Sequence, residues 1–379
     1  MLKIHCISDF AQLENHWKRL AAAGNATVFQ TWEWSAAWWR HNQRGKKLMA
    51  LLCEETGELG AGVIGLAPFY RTAGVLRLVG TGGSDYLDFL ALPGHETGVA
   101  IMVAEWLQSN PYRWLWADLQ QIAPGSTARH LTGTQQWPGE TCPYLPLPTT
   151  YGAFLQTRNK KLRQNIGYYE RSMEKQHALE IRLASHKSFK ADIRAFFELH
   201  QLRWRGRWMP GAFASQAARA FHTEAAWALL ESGNLRLHTL RLDGKAVASL
   251  YCFHKARTTY YYLSGFDPKV SKLSPGTVLT ANAIQHAIEA DSATTFDFLR
   301  GDEGYKYKWG AQDRYNKRLS LVQPGQPLSQ LLATSGRLAL SLELKLKHAM
   351  HARQGGVHSP AGKEKSPEKT EQRQGNEVF

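Results

Sequence analysis

Residues 302–309 hold the densest group of reactive side chains in this sequence. Two carboxylates, two lysines and three aromatic rings fall within eight positions, directly after a strand predicted over 294–299. A carboxylate at a strand end can act as a general base toward an amine or hydroxyl, and Asp302 and Glu303 are the candidates. Lys306 is the candidate for stabilising charge on a reacting carbonyl or for pairing with a cofactor phosphate. The alternative is a solvated turn and a short helix whose aromatic rings pack inward.

A second candidate site precedes a helix predicted over 277–290. Ser274, Gly276 and Thr277 lie in the loop that connects a predicted strand, 258–265, to that helix. Free N–H groups and the positive end of the helix dipole favour a phosphate at a helix start, and glycine allows close backbone approach. Without a ligand, the same residues would form a turn in which Thr277 caps the helix. The order strand, loop, helix, strand favours the phosphate site.

Another glycine pattern in the chain is misleading. Gly60, Gly62 and Gly65 have the spacing G-x-G-x-x-G, and Asp85 follows twenty residues later. A dinucleotide-binding site of this type needs a strand before the glycines and a helix after them. Here a turn precedes them and residues 66–70 read as a strand, so the sequence argues against such a site.

Asp85 and Asp88 flank the start of a strand predicted over 86–92. Asp88 would point away from its apolar neighbours, because side chains alternate along a strand. An acid on an otherwise apolar strand either lines a cleft or forms an ion pair at a domain interface, and both interpretations stay open. We assign five residues to substrate binding: Asp85, Asp88, Arg203, Tyr305 and Trp309.

The predicted elements divide the chain into two halves of similar layout. In each half antiparallel strand signals come first and a strand–helix–strand unit follows, which is typical of a mixed α/β (α+β) fold. We predict tandem α-β-α domains over residues 1–150 and 151–325, followed by an amphipathic helix over 326–352. Residues 353–379 are rich in polar residues, proline and glycine, and are predicted to be a disordered tail.

The chain is strongly basic, with a formal net charge of +14. Residues 351–379 contribute five Lys/Arg and four Asp/Glu, so +13 remains in the rest. A basic body attracts nucleic acid, anionic membranes or phosphate-rich cofactors. The helix predicted over 158–178 has a net charge of +4; it is either solvated or lies beside an anionic cofactor, because no nucleic-acid-binding module accompanies it.

Several functional classes have no support in the sequence. It contains no H-E-x-x-H, G-x-S-x-G or Walker motif, and its four cysteines form no Cys-x-x-Cys pair. No window reaches 18 uninterrupted apolar residues, and the first residues do not resemble a secretory signal. We therefore expect no metal cofactor, a cytoplasmic location with reduced thiols, and at most peripheral membrane contact through the helix at 328–350.

Four segments resemble a known family. Residues 29–34, 84–89, 161–166 and above all 296–311 (FDFLRGDEGYKYKWGA) resemble the CelD-like branch of the GNAT superfamily, which is associated with cellulose and exopolysaccharide biosynthesis. That branch is distantly similar to the Fem aminoacyl transferases. The resemblance implies tandem GNAT-like domains. It also implies that residues 272–277 form the loop that holds the pyrophosphate of CoA, with Lys272, Ser274, Gly276 and Thr277 as its contacts.

The resemblance further implies an activity. An acyl-CoA co-substrate, most simply acetyl-CoA, would donate its acyl group directly to a small-molecule or saccharide acceptor of the cell envelope or of an exopolysaccharide, without a covalent enzyme intermediate. Two alternatives stay open. One is a Fem-like transferase that uses aminoacyl-tRNA, since Fem enzymes, like this chain, depart from the glycine-rich CoA loop. The other is a non-catalytic scaffold that docks through the helix at 328–350.

Overall fold

The computed structural model describes residues 2–57, 60–204, 212–323 and 325–355. The chain divides into two compact units, Met1–Ala333 and Thr334–Phe379. The predicted tail at 353–379 overlaps the last described helix as far as residue 355, and the rest of it lies outside the described residues.

The first unit begins with one set of strands and helices. In chain order they are β1 (Leu2–Ile7), α1 (Glu14–Ala23), α2 (Trp32–Asn42), β2 (Lys47–Gly57), β3 (Gly60–Thr72), β4 (Val75–Leu78), β5 (Leu90–Ala91), α3 (Glu96–Ser109), β6 (Trp116–Ile122) and β7 (Gln135–Thr141). Short 3-10 helices occupy Phe10–Leu13, Val28–Gln30, Pro111–Arg113 and Thr127–His130.

A second set follows. Its elements are β8 (Tyr144–Pro146), α4 (Tyr151–Gln156), α5 (Lys160–Gln176), β9 (Leu179–Leu183), α6 (Phe189–Trp204), α7 (Gln216–Glu231), β10 (Leu235–Leu242), β11 (Lys245–Lys255), β12 (Thr258–Phe266), α8 (Pro275–Glu289), β13 (Thr295–Asp297), α9 (Gly304–Lys308) and β14 (Tyr315–Val322). A 3-10 helix, Pro268–Leu273, precedes α8, and α10 (Pro327–Gly355) ends the described chain.

Local signals in the sequence set several of these bounds. The Thr31 hydroxyl accepts a hydrogen bond from the Trp34 N–H at the start of α2, and Asn159 caps α5 through the Leu162 N–H at 2.8 Å, as short polar side chains do at helix starts. Asp243 and Gly244 have φ of 52° and 78°, which suits the two-residue turn between β10 and β11. β10 and β11 pair antiparallel across this turn.

The two halves repeat one topology. The first sheet has the order β1-β2-β3-β4-β6-β14-β7, with β5 beside β3, and the second has the order β8-β13-β12-β11-β10-β9. Most pairs are antiparallel, but β4 pairs in parallel with β6 across α3, and β12 pairs in parallel with β13 across α8. Each half therefore places antiparallel strands first and then a strand–helix–strand crossover. This confirms the predicted mixed α/β fold with two halves of similar layout.

The sheets exchange strands near the predicted domain boundary. β8, which lies within the predicted first domain, pairs with β13 in the second sheet. β14, which lies within the predicted second domain, pairs with β6 and β7 in the first sheet. The ranges 1–150 and 151–325 remain a prediction, but each sheet takes a strand from beyond that boundary.

The hydrophobic core joins the two sheets. One cluster of buried side chains draws on α1, α2, α6, α7 and both sheets, and two others cover the outer faces with α3 and with α5 and α8. A Cβ at Gly265 in β12 would collide with the His200 backbone of α6. Glycine at this position therefore allows α6 to pack directly against the sheet.

Candidate active site

The chain after β13 turns sharply before it enters α9. Asp297 ends the strand, and its Oδ1 accepts a hydrogen bond of 2.8 Å from the Leu299 N–H. Leu299 and Gly301 have φ of 57° and 104°, and a positive φ is costly for leucine. A Cβ at position 301 would also come within 2.7 Å of a Glu303 carboxylate oxygen. The backbone of the turn therefore depends on these residue types.

Lys306 lies inside this turn and is 2% exposed. Its Nζ donates to the carbonyls of Leu299, Arg300 and Gly301 at 3.2, 2.9 and 2.8 Å, and it lies 2.8 Å from Glu303 Oε2. An ammonium group has three protons, and these acceptors occupy them. Lys306 therefore fixes the turn, and its predicted role toward a reacting carbonyl or a phosphate stays a prediction.

Asp297 is fully buried at the junction of the two sheets. The Tyr86 hydroxyl lies 2.9 Å from both of its carboxylate oxygens, and Arg314 Nη1 donates to Oδ2 at 3.2 Å. The Arg314 guanidinium also lies 4.4 Å from the centre of the Tyr144 ring. Burial raises the pKa of Asp297 to about 6, although Arg314 acts in the opposite direction. This carboxylate joins residues from both halves.

Asp85 is also buried at this junction, 2% exposed. Arg300 Nε lies 3.1 Å from Asp85 Oδ1, and Arg300 Nη2 donates to the Gly82 carbonyl at 3.1 Å. Burial raises the pKa of Asp85, and the Arg300 guanidinium opposes that shift. Of the two interpretations left open for Asp85, the ion pair between the halves is the one observed.

Asp302 and Glu303 differ from these buried acids. Asp302 is exposed and Glu303 is half-buried, and Glu303 contacts Lys306 as described above. Both follow the strand end, as predicted, and both are within reach of solvent. Their catalytic role remains a prediction.

Asp88 accepts three hydrogen bonds from the backbone. Its Oδ2 accepts from the Thr127 N–H at 2.7 Å, and its Oδ1 accepts from the N–H groups of Ala128 and Phe89 at 2.7 and 2.8 Å. Burial raises the pKa of Asp88 to about 7, although these donors oppose the shift. The carboxylate caps the 3-10 helix that follows β6, and both of its oxygens accept hydrogen bonds from the backbone. Its role in substrate binding stays a prediction.

The strand predicted over 86–92 is also wrong in part. Only Leu90–Ala91 forms a strand, because Tyr86 adopts a φ of 54°, which turns the backbone out of an extended path. That turn lets the Tyr86 hydroxyl reach Asp297.

The three remaining substrate-binding candidates have different outcomes. Trp309 is 4% exposed and packs in the core outside the second sheet, so its indole is not available to a substrate. Tyr305 is half-buried with its ring 6.2 Å from that of Tyr261, and its role stays a prediction. Arg203 lies in α6, and its side chain is outside the described residues.

The four residues predicted to contact a cofactor phosphate meet at the start of α8. Lys272 is exposed at the end of a 3-10 helix, and Ser274 is the N-cap with φ and ψ of 49°. The Thr277 N–H donates to the Ser274 carbonyl at 2.9 Å, so Thr277 does not cap the helix. Pro275 has no N–H, and Gly276 is exposed with no atom within 4 Å of a Cβ position. Gly276 is therefore the first residue of α8 that can present an N–H to a ligand.

The sequence reasoning missed Asp297, Tyr86 and Arg314. A signal for Asp297 was present, because it lies between Phe296 and Phe298 and so points to the opposite face of the strand. Asp88 has the same pattern, because it lies between Leu87 and Phe89. No local pattern marks Tyr86 or Arg314, whose roles depend on contacts across 211 and 17 positions of the chain.

Comparison with known proteins identifies the segment that contains these elements. Residues 160–307, from α5 to α9, match the acetyltransferase (GNAT) domain family. This match confirms the prediction of a GNAT-type acyltransferase. No curated protein matches the chain in sequence, and nothing found distinguishes the CelD-like branch.

Solved structures share the fold over most of the chain. FemX is 11% identical with a TM-score of 0.59, and the match covers 86% of this chain and 99% of that one. A C-terminal domain of a proposed lysylphosphatidylglycerol synthetase from Agrobacterium fabrum is 14% identical, with a TM-score of 0.53 and coverage of 86% and 96%. L-PGS from Bacillus licheniformis is 13% identical, with a TM-score of 0.52 and coverage of 86% and 96%. At these identities the likeness shows the fold alone.

No group of three or more His, Cys, Asp or Glu in the described part of the chain could hold a metal ion. Within the same residues, no helix has the length and apolar character needed to cross a membrane.

Proposed function

We propose that the chain transfers an acyl group from acyl-CoA to an amine or hydroxyl of a cell-envelope or exopolysaccharide precursor. The position of the GNAT domain carries this proposal, because residues 160–307 include both the start of α8 and the turn at Asp302 and Glu303. One continuous segment would supply the phosphate contacts and the base. The buried network at Asp297 holds the half before it against this segment.

The edge of β12 offers a place for the CoA arm. β13 pairs with β12 over residues 258–260, while β12 continues to Phe266. An extended arm with amide groups, such as pantetheine, can hydrogen-bond to a strand edge. In the proposed complex pantetheine lies along this edge, and the pyrophosphate meets Gly276 and Lys272 at the start of α8.

The reaction is a direct transfer. The acceptor nitrogen or oxygen attacks the thioester carbonyl carbon, the C–S bond breaks, and CoA leaves as the thiol. Asp302 or Glu303 accepts the proton that the acceptor loses. Both lie on the exposed side of the turn that Lys306 fixes, so a substrate can reach them without opening the core.

Titration calorimetry and thermal shift with acetyl-CoA and longer acyl-CoAs test the cofactor. A ligand at about 100 times its Kd should raise the unfolding free energy by about 2.7 kcal/mol. Gly276→Asp would place a carboxylate beside the phosphate, where repulsion should weaken binding more than about tenfold. Gly152→Asp is the matched control, because Gly152 is also the second residue of a helix with open space around it. If no acyl-CoA stabilises the protein, the CoA proposal is wrong.

A second candidate donor is aminoacyl-tRNA. The net charge of +14 favours it, as does α5, where Lys160, Lys161 and Arg163 are exposed. α5 packs beside the 3-10 helix that carries Lys272, so basic side chains surround the start of α8. Copurified RNA that dissociates at high salt, together with the absence of acyl-CoA binding, would favour this donor over CoA.

A scaffold role makes a different prediction. We propose a cytoplasmic enzyme, and Asp302→Asn with Glu303→Gln should abolish complementation of a deletion strain while the protein stays folded. A scaffold that docks through residues 328–350 would still complement. Lys306 is unsuitable for this test, because its substitution would disturb the turn itself.

A further inference from the structure

The first sheet has a cavity of about 460 Å³ whose charged lining is entirely basic. Lys47, Arg71 and Arg113 line it together with Tyr112 and Gln326, and no acidic residue of the described chain does so. It lies beside β2, β3 and the segment before β6, whereas the start of α8 belongs to the second sheet.

Two of the three cationic groups at this cavity, Arg71 and Arg113, are held in place by the backbone and by a ring. Arg71 Nη1 donates to the Arg113 carbonyl at 2.6 Å, and the Arg113 guanidinium lies 5.7 Å from the centre of the Trp106 ring. Lys47 and Arg113 are exposed at the rim, and the Tyr112 side chain is 79% exposed. An exposed tyrosine next to fixed cations is a combination found where proteins meet a membrane–water interface.

Exposed leucines lie next to this cavity. Gln323 Nε2 donates to the Pro111 carbonyl at 2.9 Å, and the Ser329 hydroxyl donates to the Leu115 carbonyl. These bonds attach the start of α10 to the segment that lines the cavity. Leu328 and Leu331 on that first turn are 52% and 65% exposed, so apolar and cationic groups share one surface.

We propose that this surface docks onto an anionic phospholipid membrane. Leu328, Leu331 and Tyr112 would enter the interface, and Lys47, Arg71 and Arg113 would bind a lipid phosphate. The charge complementarity decides the occupant, because a purely apolar partner would leave three cations without compensation. The inference does not depend on the proposed function.

The second unit, taken by itself, has a composition that suits the same kind of partner. Its part of α10 carries exposed Leu338 and Leu342. In sequence it holds four Lys/Arg and one Glu between residues 334 and 355. Basic helices with exposed apolar residues bind at membrane surfaces without spanning them.

Co-sedimentation of the full chain with vesicles tests the proposal. We expect binding to phosphatidylglycerol-containing vesicles at low salt, weaker binding at high salt, and little binding to phosphatidylcholine alone. Lys47→Gln with Arg113→Gln, and separately Leu328→Ser with Leu331→Ser, should each reduce binding by at least about fivefold. Soluble inorganic phosphate at the vesicles' phosphate concentration should not displace the protein, because it offers no apolar interface.

The control variants remove the same kinds of side chain, exposed cations and exposed apolar residues, from other parts of the protein. Lys187→Gln with Lys190→Gln, and Leu2→Ser with Ile101→Ser, replace exposed lysines and exposed apolar residues on other elements and should leave binding within about twofold. Equal loss in controls and test variants would overturn the proposal, as would unaltered binding in the test variants. Light scattering adds a further outcome: a dimer that the leucine variants split, without vesicle binding, would show that a second copy covers this surface.

Discussion

The protein has two pairs of carboxylates with opposite surroundings. One pair is buried and the other is accessible to solvent. Asp85 and Asp297 are buried at the junction, each beside an arginine of the second half. Asp302 and Glu303, five and six residues beyond Asp297, lie on the accessible side of a turn. One short motif therefore contains both the contacts that hold the two halves together and the groups that can exchange a proton with a substrate. The presence of an acidic residue does not show which of these two roles it has, whereas the burial of its carboxylate does.

The largest effect should come from removing the buried acid. Asp297→Ala leaves Arg314 and Tyr86 without their partner, and breaking a buried ion pair typically costs about 3–5 kcal/mol. Urea unfolding followed by tryptophan fluorescence measures it. Asp302→Ala is the control and should change the unfolding free energy by less than about 0.5 kcal/mol, because the residue is exposed. Equal losses in the two variants would remove the distinction between the pairs.

The accessible acids should show the reverse pattern. Asp302→Asn and Glu303→Gln keep size and polarity, and the one that replaces the base should lower kcat on the order of 100-fold, about 2.7 kcal/mol of barrier. Its unfolding free energy should stay close to that of the wild type. The measurement is acyl transfer to a series of amine and hydroxyl acceptors as a function of pH. If both variants keep full activity, neither carboxylate is the base.

Lys306 connects the two pairs, because it contacts the carbonyls that follow Asp297 and also contacts Glu303. Lys306→Met should cost about 2 kcal/mol of stability, since buried carbonyls lose their donor. Activity should fall as well, through misplacement of the turn. Lys308→Met is the matched control on α9, where the lysine is exposed. A Lys306 variant with normal stability and no activity would instead favour the predicted catalytic role.

The sequence predicted the elements better than the contacts between them. α8 was expected over 277–290 and spans Pro275–Glu289, because its apolar periodicity and flanking loop are local signals. Asp85 could not be assigned, since its partner lies 215 positions away in Arg300. The insertion of β14 into the first sheet had no local signal either, because strand patterning indicates a buried face and not which sheet provides it. Lys306 appeared reactive for the same reason: the carbonyls that occupy it belong to a turn whose positive φ values depend on tertiary contacts.

The smallest effect, and the most specific to the comparison, is a pH dependence. The pKa of Asp297 is raised to about 6 by burial, whereas an unfolded aspartate titrates near about 3.9. Between these values the folded state binds more protons than the unfolded state, so the contribution of Asp297 to the unfolding free energy falls as pH rises. The fall should be about 1 kcal/mol between about pH 5 and about pH 6.

The difference between two curves isolates that term. Other buried groups also contribute: His222 and His238, with pKa values lowered to about 3 by burial, add slopes of the opposite sign, and Asp88, with its pKa raised to about 7, adds another falling slope. The wild-type curve alone is therefore not diagnostic. Asp297→Asn should lose the falling term, so its unfolding free energy should rise more, or fall less, with pH than that of the wild type over this range. Parallel curves for the two proteins would mean that the pKa of Asp297 is not raised in the folded state, and the division between buried and accessible carboxylates would then rest on hydrogen bonding alone.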